Sequence, residues 1–269
     1  MKKLYVAIAI LIIHLIVAIF ADFIAPFDPR EIVDLPYQPP SKEHWLGTDR
    51  LGRDIFSQLI HGSRLSILIG ISVGALMTFL STMIGMMAGY YGGIVDRILS
   101  TLTDVFLVIP RLPLMIVISA YVRVRGPLVV ILVIALTSWG GGARIIRSQV
   151  LSLKNRDFVA ALKATGESDW RIMFFEMLPN MLSLLAANFF SAVLYGILGE
   201  ASLSFLGLSD VSKITWGTML YWAQSANALL NGMWYWVLAP GAAIASLGTA
   251  FALLNFYVDE MTNPRLRKS

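Results

Sequence analysis

Side chains able to do covalent or acid–base chemistry are few and scattered in this 269-residue chain, which has no cysteine and three histidines, His14, His44 and His61. No histidine belongs to an H-E-x-x-H or similar set, and none has acidic neighbours spaced to hold a metal ion. His14 lies inside an apolar run with no second His, Asp or Glu at helical spacing, so a hydrogen-bonded histidine facing neighbouring helices is the expectation. No G-x-x-x-x-G-K-[ST] loop is present to cradle phosphates, so neither nucleotide nor any other cofactor is expected on this chain. Two charged side chains, Asp104 and Arg111, sit within one long apolar run, and Arg111 is framed by Pro110 and Pro113. A charge at membrane depth is costly and by default marks a translocation path or a buried partner. Both residues are therefore candidates for a path. The alternative for Arg111 is pairing with a neighbouring helix, or binding a carbonyl freed by the prolines.

Composition says what holds these residues. Apolar residues make up 57% of the chain and charged ones 14%, with a net charge of +4, against about a quarter charged in a soluble domain. The basic residues form no stripe, which argues against nucleic acid. Six apolar runs are long enough to span a bilayer or nearly so: Leu4 to Ala21, Leu65 to Ala88, Ile98 to Val122, Leu128 to Ile146, Met181 to Leu198 and Trp234 to Val258. The expected fold is all-α, a polytopic membrane bundle of about six transmembrane helices. The first run is read as an uncleaved anchor: cleavage after Ala18, Ala21 or Ala25 would leave Ile16, Ile19 or Phe23 where a small residue is wanted. Residues 1–24 are then the first span, 25–62 an external segment and 63–258 a five-helix core. The core includes a loop at 148–180, and 259–269 form a tail. Short basic connections at the termini and at Arg144 to Arg171 place both termini and the loop in the cytoplasm.

The loop between the fourth and fifth spans is the most informative stretch. Asp157 precedes Phe158, Val159, Ala160, Ala161, Leu162, Lys163 and Ala164, which reads as an N-capped, Ala-rich helix stopped by Gly166. Glu167-Ser168-Asp169 opens a second short helix that ends at Leu178-Pro179. Small residues allow a helix to lie in another protein's groove. Lying on the lipid headgroups is the alternative. A second constellation, Gly47-Thr48-Asp49 and Gly52-Arg53-Asp54, places turn formers and charges just before the second span. It is a candidate for docking a soluble partner, or for capping and bridging the bundle internally.

These stretches resemble a known family. DFVAALKATGESDWRIMFFEMLPN is similar to the coupling (EAA) loop of binding-protein-dependent ABC transporter permeases, with Val159, Ala160, Ala161, Gly166, Leu178 and Pro179 at the matching positions. HWLGTDRLGRDIFSQLIHGSRLSILIG, GYYGGIVDRILSTLTDVFLVIPRLPLMI, EASLSFLGL, WGTML and APGAAIA resemble blocks of the dipeptide/oligopeptide/nickel branch. Two departures stand out. Glu176 replaces the usual His or Arg before Leu-Pro, and Asn255 to Glu260 replace a Gly-Asp-x-Leu-Arg-Asp block, although Asn263-Pro264-Arg265-Leu266 keeps the branch's ending.

The resemblance implies the permease subunit of an ATP-driven importer of dipeptides or oligopeptides, working by alternating access. Its implied partners are a second homologous permease, two ATP-binding subunits and an extracytoplasmic substrate-binding protein. ATP hydrolysis falls to a partner, so the chain is not itself an enzyme. Nickel chelates or oligosaccharides are the alternative cargo within the family. An ion-coupled carrier or channel is the rival from another class, and would need more charge at the midplane than Asp104 and Arg111 supply.

Overall fold

The structure is a computed structural model that describes residues 2–262, and among these it contains helices and no strand. The resemblance at Asn263 to Leu266 and the basic residues Arg265, Arg267 and Lys268 lie outside the described residues.

Helix α1 (Lys2–Ile19) is almost wholly apolar, and one further turn, α2 (Ala21–Ile24), follows it. Residues 25–54 are irregular. Helix α3 (Ile55–Tyr91) then runs for 37 residues, about 55 Å at 1.5 Å per residue. It starts well before the apolar run at Leu65 because Asp54 caps it: the Asp54 carboxylate accepts from the Ser57 N–H and hydroxyl, both at 2.7 Å. The segment expected to lie outside over residues 25–62 is irregular only to Asp54, and residues 55–62 are helical.

The third apolar run is sharply broken. Helices α4 (Gly93–Val108) and α5 (Arg111–Tyr121) meet at 90°, where a kinked single span was expected. Ile109 precedes Pro110 and is extended, at φ −72° and ψ 126°, because proline disfavours a helical residue before it. Pro113 then falls in the first turn of α5, where a missing N–H is tolerated. The fourth run bends by 47° between α6 (Pro127–Ser138) and α7 (Gly140–Lys154). There the Ser81 hydroxyl donates to the Trp139 carbonyl at 2.7 Å, supporting the break from α3.

The short helices α8 (Asp157–Ala164) and α9 (Asp169–Arg171) follow, continued by a π turn and a 3-10 turn into α10 (Leu182–Phe205). Helix α11 (Trp216–Ser225) and α12 (Trp234–Thr262) complete the fold. Ile55–Tyr91, Pro179–Phe205 and Trp234–Val258 are each long and apolar enough to cross a membrane, the two bent pairs reach that length together, and α1 is shorter. The protein is a multi-pass membrane protein of helical-bundle class.

Following the chain back and forth puts the start of α1 and the end of α12 at the end of the bundle that carries α8. Lys3 Nζ and Glu260 Oε1 join those two ends at 2.8 Å. Higher up, His14 on α1 bonds the Ile10 carbonyl at 2.9 Å and Ser246 of α12 at 3.1 Å, and lies edge-on to Trp216. This is the bundle-facing histidine the sequence led one to expect.

Helices α3 and α7 set the depth of packing. A Cβ on Gly85 would stand 2.6 Å from the Ala143 carbonyl and 2.9 Å from Ile146 Cβ. Such an approach is open only to glycine, and close backbone approach is how spanning helices gain dispersion contact. Gly85→Ala is expected to cost about 1–3 kcal/mol through overpacking, whereas Gly241→Ala, where a Cβ meets nothing within 4 Å, should be neutral or mildly stabilising. Thermal unfolding of the detergent-solubilised variants checks the contrast; equal melting temperatures would contradict the packing argument.

Candidate functional site

The α8 segment is positioned by what lies under it. Val159 is fully buried and Leu162 half-buried, one turn apart on the inner face of α8. They join a cluster with Met86 of α3, Ile146 and Val150 of α7, and Ile172, Met173, Met177 and Met181. Methionine fills irregular gaps between non-parallel elements. The opposite face of α8 carries Asp157, Ala160, Ala161 and Ala164, spaced i, i+3, i+4 and i+7, all exposed. Phe158 stands at 37% exposure beside that stripe, while Trp170 and Phe175 of the second helix stand at 60% and 67%. The segment thus combines a firmly seated inner face with an outer face of small and aromatic side chains. Of the sequence-matched residues, Val159 and Leu178 turn inward; Ala160, Ala161, Gly166 and Pro179 are outward.

Local chemistry shapes the ends. Asp157 is the first helical residue and not the cap; Arg156, with extended backbone, holds the cap position without a side-chain bond. Asp157 instead places its negative charge in the first turn, where the helix dipole favours it. Gly166 adopts φ +80°. Its N–H reaches the Lys163 carbonyl, and the Glu167 N–H reaches the Leu162 carbonyl, both at 3.1 Å, the Schellman pattern that closes a helix. A Cβ at Gly166 would meet nothing within 4 Å, so the requirement there is conformational.

Ser168 caps the second helix. Asp169 accepts from the Tyr90 hydroxyl at 2.6 Å, tying the loop to the end of α3. The Lys163 ammonium lies 4.7 Å and the Lys154 ammonium 5.8 Å from the Tyr90 ring centroid. From Ile172 to Met177 the helix widens to π form, with the Leu178 N–H on the Met173 carbonyl. The wider turn lets Ile172 and Met177, five residues apart, both be buried. At Glu176, the backbone carbonyl accepts from the Asn180 amide at 2.7 Å.

Asp104 does not stand alone. It pairs with Arg144 of α7 at 2.5 Å, and one face of α4 is further tied by a two-pronged bond from Arg147 to Asp96 at 2.5 and 2.6 Å. Asp104, Arg144 and Arg147 border a cavity of about 270 Å³ between α3, α4 and α7. Arg111, at the 90° corner, has no carboxylate within 4 Å among the described residues. Its guanidinium lies 5.5 Å from the Tyr195 ring centroid, facing α10, and close to Gly141 of α7.

The segment from Gly47 to Asp54 is knotted into its surroundings. Thr48 donates to the Leu35 carbonyl at 2.7 Å and pairs with Asp54 in an isolated bridge. Asp49 accepts from the Leu51 and Arg53 N–H groups and from Gln58. Asp54 bonds His44 at 3.0 Å besides capping α3. The Gly47 carbonyl accepts from Ile55, and the Gly52 carbonyl from Val33 and Asp34. Capping is therefore built; among the described residues Arg53 makes no ion pair.

One buried group was not singled out by sequence reasoning. Glu200 on α10 is buried and accepts from Ser204 and Thr215, both at 2.7 Å, while the Trp216 N–H donates to Ser66 of α3 at 3.0 Å. A lone carboxylate in an apolar run was the available signal. Ser204 lies one turn further along the same helix, at a spacing the sequence shows, whereas Thr215 lies across a loop and could not be paired from spacing.

Gly166→Ala is expected to loosen the α8 turn by about 1 kcal/mol, the cost of a left-handed non-glycine residue, and Gly166→Asn by less. Faster hydrogen exchange at Leu162 to Glu167 in the Ala variant checks this; unchanged exchange would contradict a conformational role.

The chain matches the family described as "Binding-protein-dependent transport system inner membrane component" over residues 81–268. It is 32% identical to the dipeptide transport system permease protein DppC of Bacillus subtilis, covering 100% of this chain and 84% of that protein. It is 35% identical to the DppC protein of Haemophilus influenzae, over 97% of this chain and 90% of that one. It is also 33% identical to the glutathione transport system permease protein GsiD of Pectobacterium atrosepticum, over 93% and 83%. With the helical bundle and the α8 loop in place, these likenesses make the chain a member of the binding-protein-dependent transport system inner membrane component family.

Proposed function

We propose that the chain is the membrane-spanning subunit through which a separate ATPase drives uptake of peptides, and that α8 is the contact by which it does so. The observation that carries this reading is the two-sided construction of α8, seated on a methionine-packed cluster inside and presenting small residues and Phe158 outside. A helix only resting on headgroups would need a broad apolar outer face with basic flanks, whereas Asp157, Ala160, Ala161 and Ala164 suit a groove. The α8 end is then cytoplasmic, together with the start of α1 and the end of α12. Residues 25–54 and 206–233 are extracytoplasmic.

The assembly proposed is a pair of homologous permeases above two ATP-binding subunits, loaded by a soluble substrate-binding protein. Residues 1–24 form the first span, 63–258 the core with its coupling loop at 148–180, and 259–269 the cytoplasmic tail. Peptides are the cargo class common to the named relatives, which transport dipeptides or glutathione. Nothing in the side chains of this structure favours a nickel chelate or an oligosaccharide over them. An ion-coupled carrier fits less well, since Asp104 is neutralised by Arg144.

Force on α8 has a short route inward. Two residues, Asn155 and Arg156, join α8 to α7. Helix α7 is pinned to α4 by two ion pairs and abuts α3 at Gly85. Movement of α7 therefore carries α4, and with it the corner at Pro110 and Arg111. Driving such a bundle from 1:99 to 99:1 between two states takes about 5.5 kcal/mol of differential binding. The ATPase must supply its share of that through the α8 face, because a ligand shifts an equilibrium only by its preference for one state.

Ala161→Glu is expected to lower ATP-driven peptide uptake about tenfold or more, and to weaken co-purification of the ATPase, while leaving membrane insertion and melting temperature unchanged. Uptake in vesicles with wild-type levels of the variant checks this; undiminished uptake would overturn the assignment. Arg111→Gln is expected to reduce uptake of free-acid peptides more than that of C-terminally amidated ones, measured as competing rates in the same vesicles. Equal losses would remove Arg111 from the path.

A further inference from the structure

Helix α10 packs on α3, α11 and α12, and meets α5 and α7 along one edge. Between that edge and α12 a stripe of its surface stays open. The stripe carries Asn188, Ser191, Tyr195 and Ser202, at spacings that keep them on one face. Asn188 and Ser202 stand about 21 Å apart at 1.5 Å per residue. Ser191 is exposed and the other three are half-buried; Leu198 is an exposed apolar member of the same stripe. Two side chains flank it. From α12, the Asn255 amide donates to the Ser191 hydroxyl at 2.8 Å. From α5, the Arg111 guanidinium lies 5.5 Å from the Tyr195 ring centroid. The α7 glycines leave the room: a Cβ on Gly142 would stand 2.6 Å from Asn188 Oδ1, and one on Gly141 3.3 Å from an Arg111 nitrogen. Among the described residues the Asn188 amide, the Tyr195 hydroxyl and the Arg111 guanidinium form no hydrogen bond or ion pair. Their polar atoms are not sealed in, and so open to the groove.

All of these groups lie in segments long and apolar enough to cross a membrane. Lipid tails offer no partner to an amide or a guanidinium, so a face of this composition does not turn toward them. Helix α1 shows the contrast, with Ile12, Ile13 and Ile16 on its exposed surface. The chemistry of the groove is also selective. Asparagine amides and serine or tyrosine hydroxyls both donate and accept, which matches the N–H and C=O groups of a peptide whatever its side chains. A guanidinium matches a carboxylate in two-pronged geometry, and one set beside an aromatic ring has less freedom to lose on gripping it.

We infer that the groove along α10 is a peptide-backbone subsite: Asn188, Ser191 and Asn255 exchange hydrogen bonds with the amide groups of the cargo, while Arg111, steadied by Tyr195, takes its carboxylate. The inference deepens the proposed function and rests on it. It makes this subunit a second reader of the cargo after delivery, one that recognises the amide bond and not the side chains. A transient peptide suits the groove better than a helix of the second permease seated there for good. The Asn255–Ser191 bond satisfies both groups while the groove is empty and reopens to a backbone amide without leaving either unmet. Arg111, for its part, offers a charge that a neutral helix would bury unpaired.

The test uses the complete transporter in proteoliposomes with its substrate-binding protein. The cargoes are a dipeptide and its analogue methylated on the peptide nitrogen, each at a concentration that saturates the binding protein. Asn255→Leu and Asn188→Ala should each lower dipeptide uptake about threefold or more, and uptake of the methylated analogue distinctly less. The binding protein is the same in every arm, so a changed ratio belongs to this subunit. Equal losses for the two cargoes, or no loss for either, overturn the inference alone. A second measurement does not depend on transport of the analogue. Ser191→Cys, beside cysteine-free partner subunits, should react with a membrane-impermeant methanethiosulfonate in at least one nucleotide state, and more slowly when peptide and its binding protein are present. Reaction only with a lipid-soluble reagent would assign the groove to lipid, and reaction with neither reagent in any state would assign it to the second permease; both overturn the inference. No ATP-driven uptake of the dipeptide by the unaltered transporter would overturn both the inference and the function on which it rests.

Discussion

The backbones of α3 and α7 come so close at Gly85 that no side chain fits between them, and most of the half of the bundle that carries α8 follows from that contact. With α7 pressed against α3, Ile146 and Val150 meet Met86 and Tyr90, and the pocket that seats Val159 is closed. The same placement brings Arg144 and Arg147 within reach of Asp104 and Asp96, joining α4 to the pair. Each of these ion pairs is partly exposed, so its own contribution to stability is modest. Its use lies in orientation: two bonds at different heights resist rotation of α4 about α7. The small residues of α3 thus set the geometry, and the charged residues keep it in register.

The two ends of the bundle handle charge differently. At the α8 end, α4 and α7 carry closed ion pairs, Tyr90 engages Asp169, and the surface left open is small and partly aromatic. At the opposite end Asp22 pairs with Arg64 and His61, Asp49 and Asp54 are taken up by turn formation and capping, and Arg30, Arg50 and Arg53 have no carboxylate within 4 Å among the described residues.

Much of this was legible in the sequence. Six apolar runs gave the class of fold, the Gly166 stop and the two short helices around it were visible in the order of residues, and the resemblance pointed to the loop that the structure places on a packed base. Features governed by pairs far apart in sequence were not legible. The run beginning at Leu65 hid the true start of α3, because Asp54 caps ten residues of mixed polarity that face other segments. Pro110-Arg111-Leu112-Pro113 suggested a kink, and the chain turns through 90° there; the angle depends on what α5 packs against, which proline spacing does not encode. Asp157 looked like a cap by residue type, yet the helix begins one residue earlier than that role requires. Asp104 looked like a lone charge until α7 brought Arg144 beside it, 40 residues further along the chain.

In the proposed function the outer face of α8 lies in a groove of a partner ATPase. The absence of native cysteine allows a direct measurement: Ala161→Cys provides the one thiol of the chain, and a short bismaleimide is applied to the assembled transporter carrying single cysteines along the ATPase surface. Seating of α8 in that groove predicts a specific crosslink from residue 161 to the ATPase, with protection of that thiol from a lipid-soluble maleimide, and a yield that changes when ATP is bound. A thiol at residue 161 that is freely labelled from the lipid phase, and that crosslinks to no ATPase position in either nucleotide state, would contradict it.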